Sequence, residues 1–268
     1  MKPALRSVAP TCARAFALFL VLLASSTFAR AQTVIVVWGD SVMSGWGANA
    51  STGTPWGPEP FGAAVPGAQR WDTASQGWVP VTPYQNFQGT GADPVYGFCA
   101  AWRRFFGEEV YVVGLGVPGS DCDPTLGSRS WHPNAAGGLF GVFRTELQTA
   151  LATLPTPHIR AVLFSTGNTD PTLNLVADID AVNDAILLED PGSTPTLLGV
   201  RSWDVSSPNT SINRALIPVW ATGPGRRIVV DATSLPARTG GLPDGVHLTH
   251  FGSIFLGYYA VVLERHTP

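Results

Sequence analysis

Charge is scarce in this sequence: only 13% of its 268 residues are Asp, Glu, Lys or Arg, against 45% hydrophobic ones. So apolar a chain can fill a core, which excludes disorder by composition. There is no internal repeat and no linker, so a single domain is expected. There is no basic run, which argues against nucleic acid and against an anionic membrane surface as partners. Neither paired histidines nor a CxxC spacing is present, so no metal site is read from the sequence and no cofactor is expected. Beyond residue 31 no apolar run is long enough to cross a bilayer, so no stable membrane insertion is expected.

The N-terminus has a layout of its own. Lys2, Arg6 and Arg14 precede a short apolar run, Ala15–Phe28, and Ala29-Arg30-Ala31 follows with the small-x-small pattern of a cleavage site. This is the arrangement of a secretory signal peptide. The expectation is cleavage after Ala31 and a mature domain of residues 32–268, secreted or periplasmic; an uncleaved anchor is the alternative. Cleavage removes Lys2, Arg6, Arg14 and Arg30, leaving 12 of the 16 basic side chains against all 19 acidic ones. Such a surface repels phosphate backbones.

Cysteine is nearly absent. Cys12 leaves with the signal, and Cys99 and Cys122 remain. In an oxidising compartment two cysteines favour a disulfide, with two buried thiols as the alternative. Neither stands in a nucleophile's setting.

What is present is alternation. Thr33–Trp38, Val110–Gly114, Ala161–Thr166, Thr196–Val200 and Ile228–Asp231 are nearly continuous apolar runs, as strands buried on both faces require. Helical spacing marks Tyr96–Phe106, Gly138–Leu154, Val176–Leu188, Ile212–Trp220 and Thr249–Arg265. The pattern predicts an α/β fold, a three-layer α/β/α sandwich around a five-stranded parallel sheet. Gly45–Pro94 interrupts it: rich in Gly, Pro, Thr and Trp, without helical period. It is expected to lie over the C-terminal edge of the sheet as a wall or lid, with room for a small hairpin of its own.

Chemistry concentrates at strand ends. Gly39-Asp40-Ser41-Val42-Met43-Ser44-Gly45 follows the first strand, where a tight turn would expose the Ser41 hydroxyl and its backbone N–H. Far along the chain, Asp244 and His247 stand three residues apart in Pro243–Thr249, just before the last helix. A serine nucleophile needs an imidazole base, and the imidazole needs a carboxylate to orient it. His250 is the rival base; His132, His158 and His266 have no acid nearby in sequence in a comparable setting. Gly119 after the second strand and Asn168 after the third are suitable oxyanion donors.

These blocks, in this order, resemble the SGNH/GDSL hydrolase superfamily. Ser41 corresponds to its first block, Gly119 to the second, Asn168 to the third, and Asp244 with His247 to the fifth. Within it the pattern is most similar to carbohydrate acetylesterases, the acetylxylan esterases and sialate O-acetylesterase-like proteins. Their first block, GQSNM-small-G, shares Ser41, Met43 and Gly45; their last, DG-aliphatic-HLT, matches Asp244–Thr249. Trp131 and Tyr96-Gly97-Phe98 are also similar to that group. Two departures stand out. Asp40 replaces their Gln and follows the broader GDS form. Gly167-Asn168-Thr169-Asp170 fits neither G-x-N-D nor Q-G-E-x-D, so Asn168 or Thr166 takes the second oxyanion position, with Asn168 preferred.

The resemblance implies a flavodoxin-like SGNH hydrolase fold and a cofactor-free serine esterase acting on a small-molecule or glycan ester. An acetyl group on carbohydrate is the leading expectation, and the nine Trp suit sugar faces. The alternatives are a lipase- or lysophospholipase-like GDSL esterase and, in a different class, a non-catalytic carbohydrate-binding relative.

Overall fold

The computed structural model describes residues 31–45, 63–83, 87, 93–166, 174–201, 208–234 and 250–267. The chain divides into two compact units, Met1–Ala31 and Gln32–Pro268. All of the first except Ala31, and with it the expected signal peptide, lies outside the described residues.

The second unit is built on seven strands and five helices longer than two turns. The strands are β1 (Gln32–Gly39), β2 (Ala68–Asp72), β3 (Gly77–Pro80), β4 (Val110–Gly116), β5 (Pro157–Ser165), β6 (Thr196–Arg201) and β7 (Arg227–Asp231). The helices are α1 (Val95–Phe106), α2 (Leu139–Ala152), α3 (Leu175–Leu187), α4 (Pro208–Trp220) and α5 (His250–His266). All seven strands form one sheet in the order β3-β2-β4-β1-β5-β6-β7. Six of them are parallel and β3 alone is antiparallel; β4-β1-β5-β6-β7 are the expected five. They follow the doubly wound order 2-1-3-4-5 of flavodoxin-like folds.

The central strands alternate their side chains between two cores. Ile35 and Val37 of β1 join a cluster with Phe98 and Trp102 of α1 and Leu256 and Val261 of α5. Val34, Val36 and Trp38 face the other way, into a cluster with Phe143 of α2, Ile179 and Val182 of α3, and Trp220 of α4. Helices therefore cover both faces, as buried parallel strands demand. On the first face α1 and α5 meet backbone to backbone. A methyl added at Gly97 would stand 1.8 Å from the Ile254 carbonyl oxygen, and one at Gly257 1.7 Å from that of Pro94.

The strand count exceeds the expected five because residues 68–80 of the Gly45–Pro94 insertion form the β2–β3 hairpin. Ala68, Gln69 and Arg70 pair in parallel with Val110, Tyr111 and Val112. This hairpin extends the lateral edge of the sheet beside the first half of β4, and does not lie over the C-terminal edge as expected of a lid. Its tryptophans explain why. Trp71 is buried and its Nε1–H donates to Glu146 Oε2 at 2.8 Å, while Trp78 Nε1–H donates to Thr153 Oγ1 at 2.8 Å. Both rings fasten the hairpin to α2 and its C-terminal cap. Trp38 is likewise a core residue, stacked on Phe164 at 4.9 Å. Trp46 and Trp56 lie outside the described residues. Phe87, among the described residues of the insertion, reaches the second half of β4: a methyl on Gly114 would collide with its ring at 2.3 Å.

The disulfide expectation is corrected. Cys99 lies in the core beneath α1 and α5, Cys122 in the core on the other face of the sheet. Both are buried, and no bridge joins them. Burial, reinforced by the Asp93 charge, pushes the Cys99 thiol far above its ordinary pKa, so it is inert.

Candidate active site

Ser41 opens a single helical turn, Ser41–Ser44, directly after β1. Three features impose that abrupt change. Gly39 has φ +144°, and a Cβ there would stand 2.2 Å from the Ser165 carbonyl oxygen. Asp40, almost fully buried, caps the turn: its Oδ1 accepts the Val42 N–H at 3.0 Å. Gly45 closes the turn in the left-handed region at φ +71°. The Asp that departs from the acetylesterase Gln thus has a local task, holding the turn that presents Ser41. Val42, Met43 and Ser44 are buried beneath it, while Ser41 itself is half-exposed.

The turn presses on the neighbouring strand. A Cβ on Gly116 would lie 2.3 Å from the Ser44 nitrogen, so only glycine lets β4 pass this close. Register then aligns the strand ends. Gly39 of β1 pairs with Gly116 of β4 on one side and with Ser165 of β5 on the other. From that common level Ser41 is two residues on, and Gly119 and Asn168 are each three residues on. The three blocks therefore leave one edge of the sheet side by side, the crevice where open α/β sheets take ligands.

Gly119 is half-buried with φ +72°, a backbone state that favours glycine. The segment around it is tied to β1: Val117 N–H donates to the Gly39 carbonyl at 2.9 Å, and Ser120 Oγ, whose proton goes to the Val117 carbonyl at 2.6 Å, lies 3.2 Å from the Gly39 oxygen. Trp131, fully buried, donates its Nε1–H to Ser120 Oγ at 2.9 Å. Thr166 is also fully buried, and its hydroxyl donates to Asp121 Oδ1 at 2.5 Å. Asn168, Asp244 and His247 lie outside the described residues. His250 begins α5, so the Asp244–His247 segment leads directly into that helix.

Two of the dismissed histidines do have acids close in space. His158 Nδ1 lies 3.4 Å from Asp190 Oδ2, at the start of β5 and so at the end of the strand away from Ser41. His132 Nδ1 accepts the Asn134 N–H at 3.1 Å, which leaves the ring proton on Nε2, 3.8 Å from Asp178 Oδ1. Sequence spacing misses both pairs because the acids come from other elements.

His132 has a lowered pKa, chiefly through burial, with the Asp123 charge pulling the other way. The folded state therefore holds its proton less readily than the unfolded chain. As pH falls below about 6.5, the ordinary histidine value, the unfolded state gains a proton first and stability declines. We expect His132→Gln to lose less melting temperature than the wild type between pH 7 and pH 5. Parallel slopes in thermal melts would remove His132 from the account.

Among the described residues no group of three or more His, Cys, Asp or Glu is arranged to hold a metal ion. No described helix is long and apolar enough to cross a membrane.

No family model and no curated protein matches the sequence. Solved structures do. A protein of Arabidopsis thaliana superposes with a TM-score of 0.65 at 15% identity, over 87% of this chain and 97% of that one. A carbohydrate acetylesterase from Xanthomonas citri superposes with a TM-score of 0.61 at 17% identity, over 87% of this chain. The fold is shared with a carbohydrate acetylesterase. The match spans 55% of the Xanthomonas chain. A family two carbohydrate esterase from Cellvibrio japonicus aligns at a TM-score of 0.49 and 14% identity, over 88% of this chain and 61% of its own. At these identities the likeness is one of fold.

Proposed function

We propose that the chain is a secreted serine esterase that removes short acyl groups, chiefly acetyl, from carbohydrate. The observation that carries this reading is the common level of Gly39, Gly116 and Ser165, from which Ser41 and the segments of Gly119 and Asn168 depart together. The fold shared with an acetylesterase supports it.

In this mechanism His247 takes the proton of the Ser41 hydroxyl as Oγ attacks the ester carbonyl. Asp244 orients the imidazole and stabilises its charged form. The N–H groups of Ser41 and Gly119, with the Asn168 amide, receive the developing oxyanion. The tetrahedral intermediate collapses with cleavage of the ester C–O bond as His247 gives its proton to the leaving alcohol oxygen; water then attacks the acyl-enzyme, with the neutral His247 again as base, and the acid leaves as Ser41 regains its proton. Asn168 is preferred over Thr166 because the Thr166 hydroxyl is buried and committed to Asp121.

The test is turnover of p-nitrophenyl acetate, butyrate and octanoate by residues 32–268. The expected order is acetate over butyrate, with octanoate at least about tenfold below acetate in kcat/KM. A preference for octanoate would instead make this a lipase-like enzyme. No turnover of any ester, with retained binding to acetylated glycan, would make it a non-catalytic binding protein.

A further inference from the structure

Two residues beyond Gly119 and two before Asn168, a buried polar tie joins β4's loop to the end of β5. Asp121 is fully buried. Its N–H donates to the Arg129 carbonyl at 3.2 Å, and its own carbonyl accepts from Trp131 N–H at 2.8 Å. Its Oδ1 accepts from the Cys122 N–H at 2.8 Å and from the Thr166 hydroxyl at 2.5 Å. Cys122 Sγ lies 3.2 Å from Thr166 Oγ1; since that hydroxyl's proton points at Asp121, the thiol is the donor. Asn213 of α4, fully buried too, donates its Nδ2–H to the Thr166 carbonyl and at 3.1 Å to that of Val200.

A buried carboxylate is an expensive way to fasten a loop. Well-packed apolar side chains do the same with equal or greater stability, because no charge loses its water. What a short, charge-assisted hydrogen bond adds is fixed distance and direction. Here that precision falls between the two segments that would supply oxyanion donors, and both must be held to a fraction of an ångström for the transition state to benefit.

We propose that Asp121 is a positioning residue: through Thr166 it holds the Gly119 loop against the end of β5 and so fixes where the Gly119 N–H stands. This rests on the esterase reading above, with that N–H as an oxyanion donor. Neither Asp121 nor Thr166 touches the substrate in this proposal. The tie acts on the transition state and not on ground-state binding, so it acts on kcat.

The experiment measures kcat and KM for p-nitrophenyl acetate, with thermal melts, for wild type, Asp121→Leu, Thr166→Val, Thr166→Ser and the Asp121→Leu/Thr166→Val double variant; leucine has no acceptor for the Thr166 hydroxyl, which an asparagine oxygen would still offer. Loss or misplacement of one oxyanion donor costs on the order of 10–1,000-fold in kcat. The expected result is a fall of kcat of about 10–100-fold in Asp121→Leu and in Thr166→Val, with KM changed less than about threefold. Thr166→Ser keeps the hydroxyl and recovers most of kcat. The double variant is no slower than the worse single one, because both remove the same tie.

Different failures point to different errors. Thr166→Val slow but Asp121→Leu normal would mean that the Thr166 hydroxyl meets substrate directly, and the tie would be overturned. Losses that follow melting temperature, with Thr166→Ser as poor as Thr166→Val, would reduce Asp121 to scaffolding. Wild type inert towards every ester would overturn the esterase reading itself, and this proposal with it.

Discussion

Replacing Ser41 by alanine is expected to lower kcat for p-nitrophenyl acetate by about 10⁴–10⁶ while leaving the melting temperature within about 2 °C of wild type. The size follows from the role: without Oγ there is no acyl-enzyme, and His247 has no nucleophile to activate. What rate remains would come from oxyanion donors and binding alone. The stability half follows from the structure. Ser41 is half-exposed, and the turn it opens is held by other atoms: the Asp40 cap on Val42 N–H, the Gly45 closure, and Ser44 Oγ–H donating to the Ser41 carbonyl, which alanine retains. Steady-state kinetics with a melt on the same samples decides it. An alanine variant that keeps more than a tenth of the activity would identify a different nucleophile, and one that melts far below wild type would make the kinetic loss uninformative.

The second large effect is one of stability. Gly257→Ala in α5 is expected to destabilise by about 3 kcal/mol or more, at or beyond the upper end of overpacking effects, and to lower Tm by roughly 6–12 °C. Glycine inside a helix ordinarily costs about 0.5–1 kcal/mol relative to alanine, so the usual sign of this substitution is stabilising. Here the added methyl would stand 1.7 Å from the Pro94 carbonyl oxygen and 2.7 Å from the Phe98 nitrogen. These are backbone atoms of α1 and its approach, and no side-chain rotation relieves the clash, so the helices must part. The matching control is Gly141→Ala in α2, exposed and with nothing within 4 Å of its added Cβ, which is expected to raise stability by about 0.5–1 kcal/mol. Differential scanning of the two variants beside wild type reads both signs at once. Because α5 begins three residues after His247, Gly257→Ala is also expected to lower activity below what its folded fraction accounts for.

The parallel frame is legible in the sequence because buried strands announce themselves as runs of Val, Ile and Leu, and helices between them by spacing. Each of the five runs and five spaced segments corresponds to an element of the structure, with ends that differ by a few residues. The added hairpin is harder to read. Arg70, Asp72, Gln69 and Gln76 give residues 68–80 no apolar run, and the strands are stabilised by Trp71 and Trp78 reaching Glu146 and Thr153 on a distant helix. The cysteines mislead for a similar reason: their count and compartment suggest a bridge, but the sheet lies between them. At the site, Ser41 and Gly119 stand out as residue types chemistry requires at strand ends. Asp121 and Asn213 do not, since their meaning lies in Thr166, reached only after the chain has crossed the sheet. Tertiary hydrogen bonds of this kind leave no periodic trace.

The β2–β3 hairpin has a consequence for how the protein behaves in crowded solution. Without it, the first half of β4 would be an open sheet margin carrying Val110 and Val112, a template on which another chain could add a strand. The hairpin takes up that margin and puts in its place β3, four residues long, ending in Pro80, whose ring offers no N–H to an incoming strand. The insertion thus works as a guard against edge-to-edge self-association wherever the protein stands at high concentration.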